Sequence, residues 1–281
     1  MLSPEGAVIG YVEVWDIREP PVDVYIWGCV HPDWEDTDIG KAMMNWVENR
    51  AREAIARTPN DARVVMRSYV FSTYSYGERL LEEAGMRLVR HGYRMKIDLD
   101  RKPPSAQWSE GIHLRPFELE RDAKSVYLAE DDAFRDHGGH VDEPFETGYD
   151  RWLHFAASNE NVFDPNLWFF AMDEDEIAGI AICIPESSED PKMGWIETIG
   201  VRRKWRRRGL ALALLHHSFL IFYNRGQESV GLSVDASSLT GATRLHENAG
   251  MHVVRRLDSY EKELRSGKDI RVQVISNRNQ G

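Results

Sequence analysis

At 281 residues the chain is long enough for two domains of common size, and its 42% hydrophobic content can fill real cores, which excludes global disorder. A net charge of −11 turns the overall field against phosphate polymers and excludes general nucleic-acid or anionic-membrane binding. Two cysteines, Cys29 and Cys183, give neither a disulfide framework nor a zinc spacing, and both sit in apolar strand-like runs that predict buried thiols.

Strands are predicted at 7–16 and 22–30, separated by Glu19-Pro20-Pro21, and a helix from Ile39 to Arg57 with Ala42, Met43, Trp46, Val47 and Ala51 near one face. A strand at Val64–Tyr69, a helix at Tyr76–Glu83 stopped by Gly85, and two strand-like runs between Met86 and Asp100 follow. Residues 101–111, with Pro103-Pro104-Ser105, form the most linker-like segment. The pattern then restarts: a strand at His113–Pro116, helices at 120–133 and 149–157, and a strand pair at 168–172 and 177–184 around Asp173-Glu-Asp-Glu176. A strand at Trp195–Ile199, a helix at Leu210–Asn224, a strand at 229–234, a helix at 242–248 and strands over 251–264 complete it. The stretch after Arg265 is polar and expected to be loose. The start does not read as a signal peptide. The longest apolar run, Ala211–Tyr223, is too short to span a bilayer. A soluble cytoplasmic protein is expected.

Val201-Arg-Arg-Lys-Trp-Arg-Arg-Arg-Gly-Leu-Ala211 stands out, with six basic residues between Arg202 and Arg208 where a strand turns into a helix. Unpaired N–H groups and the helix dipole at such a turn favour a bound anion, and we read it as a pyrophosphate site. The competing reading is a solvated or nucleic-acid-binding arginine patch.

The two halves repeat. Leu80-Leu-Glu-Glu-Ala-Gly-Met matches Leu245-His-Glu-Asn-Ala-Gly-Met at an offset of 245 − 80 = 165, and Val30–Gly40 lies under Val201–Ala211 at 201 − 30 = 171. Arg206-Arg-Arg-Gly209 is replaced in the first copy by Glu35-Asp-Thr-Asp38, which would repel a diphosphate.

These motifs resemble the GNAT superfamily of acyl-CoA-dependent N-acyltransferases. Its Val-x-Pro-x-x-[Arg/Gln]-x-x-Gly-x-[Gly/Ala] signature stands as Val201 to Ala211, with Arg203 in place of proline. A second signature appears as Val234-Asp-Ala-Ser-Ser238 and Ala242 to Met251, with Ser238 for asparagine and His246 for tyrosine. The tandem arrangement is similar to that of bacterial acetyltransferases of the mycothiol-synthase type. The resemblance implies an α/β fold of two GNAT-like units, each a twisted mixed sheet flanked by helices. The first unit (1–100) would be degenerate and short at its N-terminus, and the second (112–265) a GNAT acetyltransferase domain followed by a polar tail (266–281).

It further implies acetyl-CoA as cosubstrate, without a metal, and direct transfer to a primary amine of a small molecule in a ternary complex. Cofactor contacts would come from Ile199, Val201, Arg206, Arg207, Arg208, Gly209, Leu210, Ala211, Leu212 and Ser238. Glu197, four residues before Val201 and expected on the same strand face, would be the base. His246, as an imidazolium, would protonate the departing thiolate; packing against the cofactor, or proton return by water, is the alternative. Asp131, Asp132, Asp136 and Glu143 hint at a cationic acceptor, or form a solvated acidic face. No nucleic-acid or membrane partner is expected, and a homodimer is allowed. A non-catalytic acyl-CoA-binding or regulatory protein on the same fold is the rival reading.

Overall fold

A computed structural model describes residues 1–157, 163–236 and 241–272. Two compact units emerge, and neither is continuous in sequence. One gathers Met1–Gly92, Val141–Gly148 and Arg255–Arg271; the other holds Tyr93–His140, Tyr149–Val254 and the residues from Val272.

In chain order the elements are β1 (Gly10–Trp15), β2 (Asp23–Val30), α1 (Ile39–Arg52), β3 (Val64–Phe71), α2 (Ser75–Glu83), β4 (Arg87–Asp98) and β5 (Ile112–Pro116). There follow α3 (Leu119–Phe134), α4 (Phe145–Ala157), β6 (Trp168–Asp173), β7 (Glu176–Ile184), β8 (Met193–Val201), α5 (Leu210–Asn224), β9 (Ser229–Asp235), α6 (Ala242–Asn248) and β10 (His252–Arg265). Two of the boundaries between units fall within β4 and within β10, each of which is one continuous strand where the sequence suggested two.

In the first unit β1 and β2 are antiparallel, β2 and β3 parallel, and β3 pairs antiparallel with the end of β10. Val24, Ile26, Val64 and Met66 pack with Met44, Val47 and Ala51 of α1. The buried stripe of α1 is Gly40, Met43, Met44, Val47 and Ala51, which leaves Trp46 outside it and 55% exposed, against expectation. Cys29 is likewise exposed, whereas Cys183 is buried as expected, and burial pushes its thiol up to about 12. Of the segment after Arg265, residues 266–272 are pinned through Arg271 rather than loose, and residues 273–281 lie outside the described residues. Lys268 N–H donates to Asp61 C=O, and the buried Arg271 guanidinium reaches Asp269 and Glu261 at 2.6 and 2.8 Å.

In the second unit β5, β6, β7 and β8 form successive antiparallel pairs, and β9 joins β8 in parallel. Phe170, Ile180, Ile196, Phe219 and Phe222 centre its core. Helix α5 is apolar nearly all round, as a helix buried against a sheet must be. His217 is held by ring contacts with Phe169 and Trp108, a packing role.

The repeat is visible in the backbone. Each copy runs strand, short 3-10 turn and helix: β2, Pro32–Trp34 and α1 against β8, Arg203–Trp205 and α5. Each then has a helix stopped by a left-handed glycine and a buried methionine, Gly85-Met86 and Gly250-Met251.

Candidate functional site

The basic turn is anchored by its apolar and charged residues before it offers anything to a ligand. Trp205 is buried with Ala178 and Leu210, and its indole N–H donates to Asp173 Oδ2 at 2.6 Å. Four of the six cations are engaged by the protein. Arg202 pairs with Asp132 at 2.6 Å, Arg203 with Asp136, and Lys204 with Glu176 at 2.7 Å. Arg206 donates to Val201 C=O at 3.1 Å, Ala133 C=O at 2.9 Å and Asp136 at 2.9 Å. The hydrogen bonds from Arg206 and Arg203 hold the Asp136 carboxyl below the usual range. The Arg206 side chain, expected at the cofactor, thus ties the turn to α3. The acids Asp132 and Asp136, read as hints of a cationic acceptor or as a solvated face, neutralise the turn instead.

Arg207 and Arg208 make no ion pair among the described residues, and both are exposed. Arg207 and Gly209 adopt φ of 66° and 79°, a left-handed conformation that glycine takes freely and arginine at a cost. The Arg208 carbonyl is drawn aside to accept Ser109 Oγ–H at 2.8 Å. Among the described residues, the N–H groups of Arg207, Arg208, Gly209, Leu210, Ala211 and Leu212 meet no acceptor, and Gly209 caps α5 without a side-chain bond. Unpaired donors at the positive end of a helix suit anionic oxygens. An empty space within 4 Å of the Cβ that a side chain at Gly209 would carry leaves room for one.

The first copy shows why it lacks this feature. Asp38 caps α1 at φ −74°, and no residue between Val30 and Gly40 has positive φ. Tyr74 O–H donates to Glu35 at 2.7 Å, and a Cβ at Gly40 would collide with the Tyr76 hydroxyl. The shared plan carries a different turn backbone, closed over by side chains from the tyrosine-bearing start of α2.

Strands β8 and β9 part beside the basic turn. Their pairing ends at Ile196↔Leu232, although β8 continues to Val201 and β9 to Asp235. On its other edge β8 stays paired with β7 up to Val201. Arg202 N–H donates to Ala178 C=O, which makes that facing pair hydrogen-bonded, so Gly179/Val201 and Ala181/Ile199 are the non-bonded pairs between β7 and β8. The amide groups of Ile199 and Val201 therefore face the open side, where an extended ligand can add as a strand.

Glu197 is the extra residue of a β-bulge. Ile182 faces Thr198 while Cys183 faces Ile196, which leaves Glu197 without a partner. The bulge overturns the expectation that Glu197 and Val201 share a face. Val201 lies beside Gly179 on the side of Leu214 in α5, whereas Gly200 abuts Ala133 and Phe134 of α3. Glu197 accepts Trp195 Nε1–H at 2.9 Å, and Thr198 Oγ1 donates to Glu130 of α3 at 3.3 Å, which puts both residues on the α3 side. Gly200 is thus required by α3 packing, and the bulge lies three residues upstream of it.

Glu130 was missed in the sequence because it reads as one acid of an ordinary helix surface, Glu130-Asp131-Asp132. Its carboxylate takes Trp152 Nε1–H at 2.8 Å as well as the Thr198 hydroxyl. Burial, with nearby Glu197 and Asp131, raises its pKa against those two hydrogen bonds.

His246 does not supply the expected imidazolium. The side chain is 4% exposed, and burial pushes its pKa down to about 4, so it is neutral at physiological pH. Its Nδ1 meets no partner among the described residues. The equivalent residue of the first copy, Leu81, is buried to the same degree. Ser238 lies outside the described residues.

No group of three or more His, Cys, Asp or Glu among the described residues could hold a metal, and no described helix is long and apolar enough to cross a membrane.

Residues 112–251 match the acetyltransferase (GNAT) family model. A stretch of 175 residues is 29% identical to the mycothiol acetyltransferase of Thermobispora bispora, covering 61% of this chain and 57% of that protein, so the chain spans little more than half of that curated relative. The fold follows a GCN5-related N-acetyltransferase of Sphaerobacter thermophilus over 95% of this chain and 81% of that one, at 37% identity and a TM-score of 0.76. A tandem GNAT protein from the clavulanic acid biosynthesis pathway shares the fold at a TM-score of 0.67 and 15% identity, over 95% of this chain and 82% of that one. With a basic glycine turn opening α5, a bulged and splayed β8, and this likeness along nearly its whole length, the chain belongs to the GNAT family.

Proposed function

We propose that the protein is an acetyl-CoA-dependent N-acetyltransferase that transfers the acetyl group directly to a primary amine of a small molecule in a ternary complex. The observation that carries this reading is the run of N–H groups from Arg207 to Leu212, unpaired among the described residues, beside the parted β8 and β9. Those amides would receive the coenzyme A diphosphate, with the Arg207 and Arg208 side chains adding charge. Ile199 and Val201 would hold the pantetheine arm as an added strand, and the Val201 N–H would face the developing oxyanion. Holding thioester and amine together provides much of the acceleration by proximity.

A base for the acceptor amine would come from the α3 side of β8, where Glu197 was expected to act. The neutral, buried His246 is assigned to packing at the thiol end, and the proton for the thiolate comes from the amine adduct or through water. The exposed free thiol of Cys29 is consistent with a reducing, cytoplasmic setting.

Isothermal calorimetry with acetyl-CoA tests the cofactor assignment. Arg207→Glu/Arg208→Glu should weaken binding by tenfold or more, on the order of two charge-assisted contacts; full binding by that variant, or none by the wild type, refutes it. A neutral His246 also suits a non-catalytic acyl-CoA-binding protein, and thiol release on an amine panel separates the two readings.

A further inference from the structure

Several features invite a second role. A shallow cleft in the first unit is lined by Lys41, Met44, Asn45, Leu80, Glu83 and Ala84, but Lys41 and Glu83 already pair across it at 3.6 Å. The exposed aromatic face of β1 and β2, with Tyr11, Trp15 and Trp27, has nothing to say what covers it. The side of β8 that faces α3 carries more.

There, three aromatic rings and two carboxylates converge next to the bulge. Tyr149 and Trp152 are stacked, with ring centres 6.4 Å apart and planes 13° from parallel, and Tyr127 meets them edge-on at 5.7 and 6.3 Å. The Trp152 indole N–H and the Thr198 hydroxyl both donate to Glu130, and the Trp195 indole N–H donates to Glu197. All three rings and Thr198 are half-buried, Glu130 lies with its carboxyl turned inward, and Glu197 is exposed. Arg202 pairs with Asp132, Arg206 with Asp136 and Arg135 with Asp131, while Arg94, which lies over the Trp195 ring at 4.9 Å, pairs with Glu189 at 2.9 Å.

A carboxylate fixed by two neutral donors keeps lone pairs free and carries a charge that those donors do not cancel. Set among aromatic side chains, it is suited to receive an ammonium group, which gains from the anion and from any ring face it meets. A second carboxylate at the same place disfavours any acceptor that carries its own carboxylate next to the amine. The position of Thr198 ties this receptor to the reaction. It precedes Ile199, whose amide groups open onto the parted strands, by one residue.

We propose that Glu130, with Trp152, Tyr127 and Tyr149 around it, binds the acceptor as an ammonium and takes its first proton, and that the acceptor class is a primary aliphatic amine without an adjacent carboxylate. This rests on the acetyltransferase reading above and names the substrate class of that site. The ammonium gives one proton to the Glu130 carboxylate, and the freed nitrogen lone pair forms the C–N bond to the thioester carbon. The carbonyl π pair moves to oxygen, then returns as the C–S bond breaks and sulfur keeps its electron pair. The second nitrogen proton goes to the thiolate, and Glu130 releases the first to water. An ammonium and a thioester thus become an amide, a thiol and one proton. Glu197, on the exposed side of the pair, provides the route by which that proton leaves.

The test pairs amines that differ by one carboxylate: tyramine against tyrosine, and 1,5-diaminopentane against lysine, with thiol release as the readout and acetyl-CoA affinity measured separately by calorimetry. The decarboxylated member of each pair should be used with a kcat/KM at least about tenfold higher. Glu130→Gln should lower kcat/KM for it by about 100-fold while acetyl-CoA binds with unchanged affinity. Trp152→Phe, which keeps a ring and removes the indole donor, should lie between Glu130→Gln and wild type. Equal use of both members of each pair, or full kcat/KM in Glu130→Gln, overturns the inference and leaves acetyl transfer standing. A wild type that binds no acetyl-CoA overturns the acetyltransferase reading instead, and the inference with it.

Discussion

Replacing His246 with leucine, the residue at the equivalent position 81 of the repeat, isolates one buried titration. The imidazole is 4% exposed, its Nδ1 is unpartnered, and its pKa is pushed down to about 4 from an ordinary 6.5. In the unfolded chain it takes a proton as pH falls below 6.5, while in the folded chain it stays neutral until about 4. The unfolded state therefore binds more protons across that window. Stability is intact above pH 6.5 and is lost as pH falls toward 4. At 1.36 kcal/mol per pKa unit the loss from this group is about 1.4 kcal/mol near pH 5.5 and about 2.5 kcal/mol near pH 4.5. Urea midpoints of wild type and His246→Leu, followed by tryptophan fluorescence near pH 7.5, 5.5 and 4.5, measure it as a difference in which the carboxylates common to both proteins cancel. The variant should gain on the wild type by about those amounts as the pH falls. It should also keep turnover within about tenfold, because a neutral buried imidazole is no acid for a thiolate. A variant-minus-wild-type difference that stays constant with pH would refute the reasoning, since it would mean that the folded imidazole accepts a proton as readily as the unfolded one.

Three further outcomes follow from the same geometry. Gly209→Asp, which installs the residue of the first copy, should cost about 1 kcal/mol for left-handed backbone and abolish measurable acetyl-CoA binding in calorimetry, because it aims a carboxylate at the six amides. Arg206→Lys should lower stability in a denaturant titration nearly as much as Arg206→Ala, by about 1–3 kcal/mol in either case, since the planar fork that serves Val201, Ala133 and Asp136 together has no ammonium equivalent. Asp122 is a third site: burial would raise its pKa, but hydrogen bonds from Arg121, the Glu118 N–H and Arg115 hold it at about 2. Its roughly 2 kcal/mol is present above the unfolded pKa and lost as pH falls toward 2, and Asp122→Ala should cost about 3–5 kcal/mol at neutral pH in a denaturant titration.

The local elements were legible because they rest on signals a few residues long. Hydrophobic period, Gly226 after α5 and the 30–40/201–211 alignment placed α5 to the residue and predicted the strand, turn and helix of both copies. What escaped depends on pairing across distance. Nothing in Trp195-Ile-Glu-Thr-Ile reveals that Glu197 is extruded from the ladder, since a bulge is a property of two strands in register. The partners of the basic run were hidden for a similar reason: Asp132, Asp136 and Glu176 lie 70, 67 and 28 residues away. A count of six cations thus overstated the charge available to a ligand. The end of β10 was read with the second domain because β3, its partner from Val64 to Phe71, is nearly two hundred residues upstream.

On the proposed acetyltransferase reading, the bulge lets one strand serve two substrates. An unbroken β8 would put Glu197 on the face of Val201 and opposite Thr198. With one residue extruded, the amides of Ile199 and Val201 open toward β9, while Glu197 and Thr198 both turn to α3, where Glu130 waits behind the Trp152 indole. Thioester and amine can then approach the strand from different directions and meet at the bulge. That separation explains why the basic turn and the aromatic cluster need share no residue, and why substitutions in one are expected to leave binding at the other unchanged.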